Sequence, residues 1–304
     1  MKRRTVLQGI GRKKFVYLFL VPTFILLLLF EYYPAFSAVY HSFFDWDGFY
    51  VNRFVGLANY KEILFDDWVL RISVINMLKL MAFGMGVGLV MPIFVAEVLF
   101  SLRSLRWKYI YRVLLVLPAL IPGIVGMLLW GYIYEPTYGL ANQLLRAVGL
   151  GRLAREWLGD PRVALYALMF MGFPWVGGIG VLIYLAGLQN IPQEVFDCCR
   201  LDGAQGITRF FKVDLPLIMG QVKLNVIMGF IGGIQGFGVQ LILTKGGPGF
   251  ATTVPGLVLY DNAFKYGRMG YASAIGVCMF VIIMGLTYAN MKYLKSGIEY
   301  QAKS

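Results

Sequence analysis

An all-α membrane protein with six transmembrane helices and both termini in the cytoplasm is the fold class the sequence predicts. Three observations carry it: the composition, the length of the apolar runs and the placement of the basic residues. Hydrophobic residues make up 59% of the chain and charged residues 14%, against roughly 25% charged in a soluble domain. The apolar residues come in runs longer than the ~20 residues that cross a bilayer as a helix. Six are predicted, at about residues 14–37, 72–99, 109–134, 163–187, 219–243 and 270–291. Prolines within them (Pro22, Pro92, Pro118, Pro122, Pro174) suit membrane helices, where neighbouring elements satisfy the freed backbone groups.

The net charge of +12 is distributed as in a membrane protein, and nucleic acid is not an expected partner. Lys2, Arg3, Arg4, Arg12, Lys13 and Lys14 precede the first span with no acid among them. Arg103, Arg106, Lys108 and Arg112 surround the second connection, and Lys292, Lys295 and Lys303 against Glu299 follow the sixth span. The first connection, residues 41–70, is acidic, with Asp45, Asp47, Glu62, Asp66 and Asp67 against Arg53 and Lys61. Short cytoplasmic segments collect Lys and Arg, so both termini and the second connection are assigned to the cytoplasm. The expected organisation is a basic N-terminus over 1–13, a six-span domain over 14–291 with a cytoplasmic loop at 189–217, and a tail over 292–304. The first span is long and lacks a small-residue cleavage site, which reads as an uncleaved anchor.

Cys198, Cys199 and Cys278 form no disulfide framework, and Cys198–Cys199 read as small buried helix residues. With one histidine, His41, and no CxxC, no metal site is expected. There is no G-x-x-x-x-G-K-[ST] phosphate loop, so ATP hydrolysis by that route is not expected of this chain. The glycine-rich stretch from Lys245 to Gly249 contains Pro248, which lacks an amide donor, and reads as a turn. In the third connection, Leu140, Leu144, Leu145, Val148, Leu153 and Trp157 alternate with Arg146, Arg152 and Arg155 around Gly149 and Gly151. Two readings stand: a surface element at the outer interface, or a ledge for an extracellular partner.

The fourth connection carries the marks of a folded helix. Pro192, Gln193 and Glu194 suit a helix start, and Gly203 suits its stop. Ile191, Val195, Cys198 and Cys199 recur at helical spacing as an apolar face. Phe210 and Phe211 follow, and Leu215-Pro216 opens the fifth span. Such a helix needs something to pack on, the membrane bundle or another protein's groove.

At these residues the sequence resembles the binding-protein-dependent permeases of ABC importers. Their signature is Glu-Ala-Ala, three residues, Gly, nine residues, then Ile-x-Leu-Pro. Here it reads Asp197-Cys198-Cys199, Arg200-Leu201-Asp202, Gly203, nine residues, then Val213-Asp214-Leu215-Pro216. The spacing is complete, and the departures keep charge sign, small size or apolarity. The resemblance narrows to the carbohydrate-uptake branch, the maltose- and glycerol-phosphate-type permeases. It does so through Phe54-Val55-Gly56-Leu57-Ala58-Asn59-Tyr60, Leu188-Gln189-Asn190-Ile191-Pro192, Leu243-Thr244-Lys245-Gly246-Gly247-Pro248 and Gly270-Tyr271-Ala272-Ser273-Ala274.

The resemblance implies the type I ABC importer permease fold and a non-enzymatic transport subunit in a bacterial or archaeal cytoplasmic membrane. It implies a second permease subunit, an ATPase dimer that holds ATP and Mg, and an extracytoplasmic solute-binding protein as partners. No cofactor is expected on this chain itself. Residues 192–203 would be the coupling helix, with Glu194, Asp197, Cys198, Cys199, Asp202, Gly203 and Pro216 as the ATPase-coupling residues. The implied cargo is a carbohydrate, with glycerol phosphate or another polar solute as the alternative and an ion-coupled secondary transporter as a remoter one.

The intramembrane charges Glu31, Lys79, Glu97 and Lys223 sit near span ends and read as side chains that snorkel to water. Glycine is concentrated in the second, fourth and fifth spans, for close helix packing or as the lining of a path. Gln235 and Gln240 offer hydrogen bonds, and Phe173, Trp175 and Phe237 flat faces for sugar rings. By resemblance, Gly172, Trp175, Gly229 and Gly233 fall on substrate-lining positions. Thus Gly172, Phe173, Trp175, Gly229, Gly233, Gln235, Phe237 and Gln240 form the candidate substrate path.

Overall fold

Backbone amides surrounded by apolar matter have no water to bond, so long apolar runs resolve into helices. The structure is a computed structural model and describes residues 14–294, with side chains from residue 18. Lys2, Arg3, Arg4, Arg12, Lys13, Lys295, Glu299 and Lys303 lie outside the described residues, as does the Lys14 side chain. In chain order the main elements are α1 (Leu18–His41), the strands β1 (Phe44–Trp46) and β2 (Asn52–Phe54), and α2 (Trp68–Ser101). There follow α3 (Leu105–Val116), α4 (Gly123–Ile133), α5 (Leu140–Ala147), α6 (Ala164–Phe170), α7 (Gly178–Gln189) and α8 (Gln193–Leu201). The last are α9 (Met219–Gln235), α10 (Gly238–Leu243), α11 (Pro255–Phe264) and α12 (Met269–Tyr293).

Among the described residues, four helical stretches are long and apolar enough to cross a membrane: Leu18–His41, Trp68–Ser101, Met219–Leu243 and Met269–Tyr293. A bent pair, Leu105–Leu120 with Gly123–Ile133, makes a fifth if taken as one span, with an angle of 87° between its halves. The bend has a sequence cause. Pro118 sits at the start of a 3₁₀ turn, Leu117–Leu120, and Pro122 caps α4, so the ladder lacks donors on both sides of the corner. The predicted span 163–187 is corrected: it is two helices, α6 of seven residues and α7 of twelve. Between them Gly172 and Trp175 adopt positive φ (81° and 57°) and Pro174 has no amide, which no continuous helix accommodates.

The described residues form two compact units, 14–66 with 259–278, and 67–258 with 279–294. In the first, the motif at residues 54–60 has a visible purpose. Gly56 turns the chain at φ 58°. The Asn59 amide then donates to the Ser42 and Phe44 carbonyls, both at 2.9 Å. The Ser42 and Tyr60 hydroxyls share a hydrogen bond of 2.7 Å. Gly270 lies so close to this region that a Cβ there would come 2.0 Å from the Phe44 carbonyl oxygen. Arg268 pairs with Glu62 at 2.6 Å and covers the Tyr271 ring. The hairpin tip is closed by Asp47, whose carboxylate accepts from the Phe49, Tyr50 and Val51 amides at 2.8, 2.9 and 3.0 Å.

In the second unit the core is Ala96 and Leu99 of α2 with Val181, Tyr184, Leu185 and Leu188 of α7 and Ile218. Small residues set the spacing. A Cβ at Gly178 would lie 2.0 Å from the Leu115 carbonyl oxygen, and one at Gly187 2.7 Å from the Gln221 side chain. The glycine-rich turn after α10 is as read from the sequence. Gly246 and Gly249 have positive φ, Thr252 Oγ1 donates to the Gly247 carbonyl, and Asn76 of α2 donates to the Phe250 and Thr253 carbonyls.

Two outcomes follow from these contacts. Gly178→Ala presses a methyl on fixed backbone and is expected to cost about 1–3 kcal/mol, whereas Gly84→Ala, with nothing within 4 Å of its Cβ, is neutral; thermal unfolding in detergent compares them. The three amides, Phe49 first, hold the Asp47 carboxyl below its ordinary 3.8. A depressed acid contributes stability above its unfolded value and loses it as the pH falls through the folded one. Hydrogen exchange at Phe49–Val51 is therefore expected to be slow in the native hairpin above pH 3.8, to lose its protection on acidification below that value, and to be fast at neutral pH in Asp47→Ala.

Candidate functional site

Two places in the second unit combine shape and chemistry. The first is a cavity of about 550 Å³ between α2 and α9–α10. Seven glycines line it, Gly84 and Gly88 from α2 and Gly229, Gly232, Gly233, Gly236 and Gly238 from the other wall. Met81, Met85 and Met127 supply flexible apolar bulk, while Asn225 and Gln240 bring the polar side chains. The methionines depend on the glycines: a Cβ at Gly233 would lie 2.7 Å from Met81 Cγ, and one at Gly229 3.2 Å from Met85 Cγ. The thioether side chains occupy room that any other residue on α9 would claim, and methionine is the side chain best able to move within it.

Of the sequence-predicted path residues, Gly229, Gly233, Phe237 and Gln240 line this cavity. Gly172, Phe173, Trp175 and Gln235 do not. Gln235 is exposed at the end of α9. Phe173 and Trp175 belong to an aromatic cluster at the α6–α7 break, where Phe173 stacks on Phe170 at 5.2 Å and Trp175 meets Phe83, Phe170 and Phe173 edge-on. The Trp175 indole donates to the Met169 carbonyl at 3.1 Å, which satisfies its one polar atom. Sequence reading missed Met81, Met85, Met127 and Asn225. Their signal is that methionines and glycines face each other across two spans, a pairing visible only once the helices are placed.

The second place is the connection from α7 to α9. α8 runs over Gln193–Leu201, capped by Pro192, and its C-terminal turn ends at Gly203 with φ 70°. The Gly203 amide donates to the Arg200 carbonyl and the Ala204 amide to that of Cys199, which satisfies carbonyls the helix end leaves open. The expected apolar face is corrected. Phe196 and Cys199 are buried, Ile191 and Val195 are half-buried, and Cys198 is exposed. At 3.6 residues per turn Phe196 and Cys199 share one side and Cys198 falls on the other. The exposed side also presents Glu194, Asp197 and Asp202, and Asp197 pairs with Arg200 at 3.1 Å. Pro216 lies within the short helix Leu215–Leu217 ahead of α9.

Glu97 is corrected too. It does not extend to water but bonds Arg209 at 2.5 Å with its side chain 19% exposed. Lys223 donates to the Met291 carbonyl at 3.0 Å, while Glu31 and Lys79 are exposed.

Long apolar helices, a glycine-walled cavity between two of them and a capped helix carried outside the long stretches define a multi-span membrane transport component. Residues 88–300 match the family of the binding-protein-dependent transport system inner membrane component. The chain belongs to this family. It is 37% identical over 284 residues to a probable ABC transporter permease protein, YurN, of Bacillus subtilis (strain 168), covering 93% of this chain and 97% of that one. It is 31% identical over 279 residues to the multiple sugar-binding transport system permease protein MsmF of Streptococcus mutans, covering 91% and 94%. Among solved structures, a chain from a bacterial ABC transporter involved in the import of the acidic polysaccharide alginate superposes with a TM-score of 0.81 at 20% identity. That match covers 95% of this chain and 99% of the other. The chain is thus a membrane permease component of a binding-protein-dependent transport system.

The tightness of the cavity wall is measurable. Gly233→Val is expected to cost about 1–3 kcal/mol through overpacking on Met81. Met81→Ala in the same chain should recover most of that, because residues in contact couple. A double-mutant cycle on thermal unfolding in detergent reads the coupling, and additive losses would separate the two side chains.

Proposed function

We propose that this chain is one half of the membrane channel of an ATP-driven carbohydrate importer in the cytoplasmic membrane of a bacterium or archaeon. Its partners are a second permease subunit, a pair of ATPase subunits that hold ATP and Mg, and an extracytoplasmic solute-binding protein. The observation that carries the reading is the family membership together with relatives named for sugar transport. In this reading the chain crosses the membrane six times with both termini in the cytoplasm. The fourth crossing in chain order, beyond the five long stretches, is made by α6 and α7 together: their nineteen residues reach about 28 Å as helix, close to a ~30 Å hydrocarbon core. A break at that depth is tolerated where protein or a cavity surrounds it.

α8 is the element that meets the ATPase. Glu194, Asp197, Cys198 and Asp202 form its outward face, Cys199 seats it on the bundle, Gly203 turns the chain at its end, and Pro216 starts the short helix that leads into α9. A rigid helix transmits a push that a loose loop absorbs. The substrate path runs along Gly229, Gly233, Phe237 and Gln240, with Gly172, Phe173, Trp175 and Gln235 as its extension. The cavity lining supports the first four.

Gly203→Pro forces φ from 70° to about −65°, and Cys199→Asp places a charge in a buried seat. Both variants are expected to insert normally and to lose uptake. Uptake of candidate saccharides in vesicles loaded with ATP, with a protonophore present, checks the assignment. Wild-type uptake in both variants sinks the coupling role, and uptake that stops with the protonophore sinks the ATP-driven one.

A further inference from the structure

Three charged side chains meet between α8 and the bundle, and none of them lines the cavity. Arg209 reaches Glu97 Oε1 in α2 through Nη2 at 2.5 Å and Asp214 Oδ2, ahead of α9, through Nε at 2.8 Å. Its guanidinium stands 5.4 Å from the centroid of the Phe196 ring in α8. Phe196 in turn packs on Phe100 of α2 at 5.5 Å. Asp214 is fully buried, and the Arg209 side chain is 25% exposed. Two carboxylates share one cation, and Glu97 Oε2 and Asp214 Oδ1 are buried with no hydrogen-bond partner among the described residues.

As a source of stability this triad is poor. Taking three charges out of water costs more than their mutual attraction commonly returns, and apolar side chains of the same volume serve a core at least as well. What it supplies is direction. A guanidinium is a planar fork that holds two carboxylates in one fixed relation. Here Glu97 belongs to α2, one wall of the cavity, Asp214 closes the turn Phe210–Asp214 that leads through Leu215–Leu217 into α9, the other wall, and the third contact belongs to α8. Along α2, Glu97 is about 18 Å from Met85 and about 24 Å from Met81 at 1.5 Å per residue, within one continuous helix that carries Pro92 between them.

We infer that Arg209 is a positioning residue that pins α8 to α2 and to the segment leading into α9, so that a displacement of α8 moves α2 and the start of α9 together. The inference rests on the reading of α8 as the element that meets the ATPase. It goes beyond that reading by naming the group through which the movement enters the bundle.

The test uses the intact complex in lipid nanodiscs with a Gly84→Cys reporter. Gly84 lines the cavity, and its Cβ would meet nothing within 4 Å. Modification of that thiol by a membrane-impermeant reagent is followed by mass spectrometry of its peptide, with and without ATP plus orthovanadate. In otherwise native complex, trapping is expected to change the labelling rate about tenfold, the signature of a strong population shift. In the E97Q/R209M/D214N variant, which leaves no buried charge unpaired, the change should fall below about twofold while the ATPase subunits stay bound and hydrolyse ATP. R209K, whose single ammonium cannot fork, should lie between. A full tenfold change in the triple variant overturns the pin. Loss of bound ATPase or of hydrolysis in proportion to the lost response, in both variants, overturns it as well, because the triad is then a folding element. No response in the complex carrying Gly84→Cys alone instead overturns the coupling role of α8, which separates the two failures.

Discussion

The approach of α7 to its neighbours is set at backbone range, and the second unit depends on that spacing. Gly178 faces the Leu115 carbonyl, Gly180 faces Pro92 and Gly187 faces Gln221. On the same helix Val181, Tyr184, Leu185 and Leu188 are fully or nearly fully buried against α2. Lipid tails are as apolar as leucine, so helices in a bilayer gain little from hiding apolar surface and much from close van der Waals contact. The glycines let the large residues between them reach the Ala96 and Leu99 side of α2. Further along, the cavity lies between α2 and α9–α10, where Met81 and Met85 meet Gly233 and Gly229.

That division explains why α2 and α9 are packed so differently at their two ends. Near Ala96 and Leu99, α2 is locked by Tyr184 and Leu188 and by the ion pair of Glu97. Near Met81 and Met85, the same helix faces bare glycine backbone across thioether side chains. One end resists rearrangement because close-packed interiors do not deform continuously. The other end is filled by the side chain with the most rotatable apolar bonds. α2 is thus packed on large side chains at the end beside α8 and on movable thioethers at the other.

Much of this was legible in the sequence, and the reasons for the rest are specific. The long stretches at 18–41, 68–101, 219–243 and 269–293 follow from apolar length alone. The start of α8 at Pro192 and its end at Gly203 follow from what proline lacks and what glycine tolerates. The split of 163–187 was also written there, in Gly172 and Pro174 a residue apart, but averaging hydrophobicity over a window hides a local break. Phe196 was passed over for Cys198 because both are apolar, and which one faces inward depends on the phase of a nine-residue helix. Glu97, read as a side chain reaching water, has its partner 112 residues away, and no spacing rule links the two. Of the path residues, Gly229, Gly233, Phe237 and Gln240 line the cavity, while Gln235 at the end of α9 is exposed outside it. Those at the α6–α7 break turn into an aromatic cluster, because positive φ at Trp175 redirects the chain.

The bareness of the cavity follows from the task proposed for it. A hydroxylated solute binds tightly only where each of its polar groups finds a partner, since a buried donor or acceptor left unmade is costly. A wall of seven glycines with Asn225 and Gln240 offers few such partners and leaves room for water to remain with the solute. Such a wall makes a poor recognition site and a good passage, because conduction requires an interior that holds its cargo weakly enough to release it. In the proposed importer, selectivity would then rest with a component met before the membrane, and this chain would contribute movement. On that view the shape of the cavity matters less than the connection to α8 proposed for Phe196, Glu97, Arg209 and Asp214.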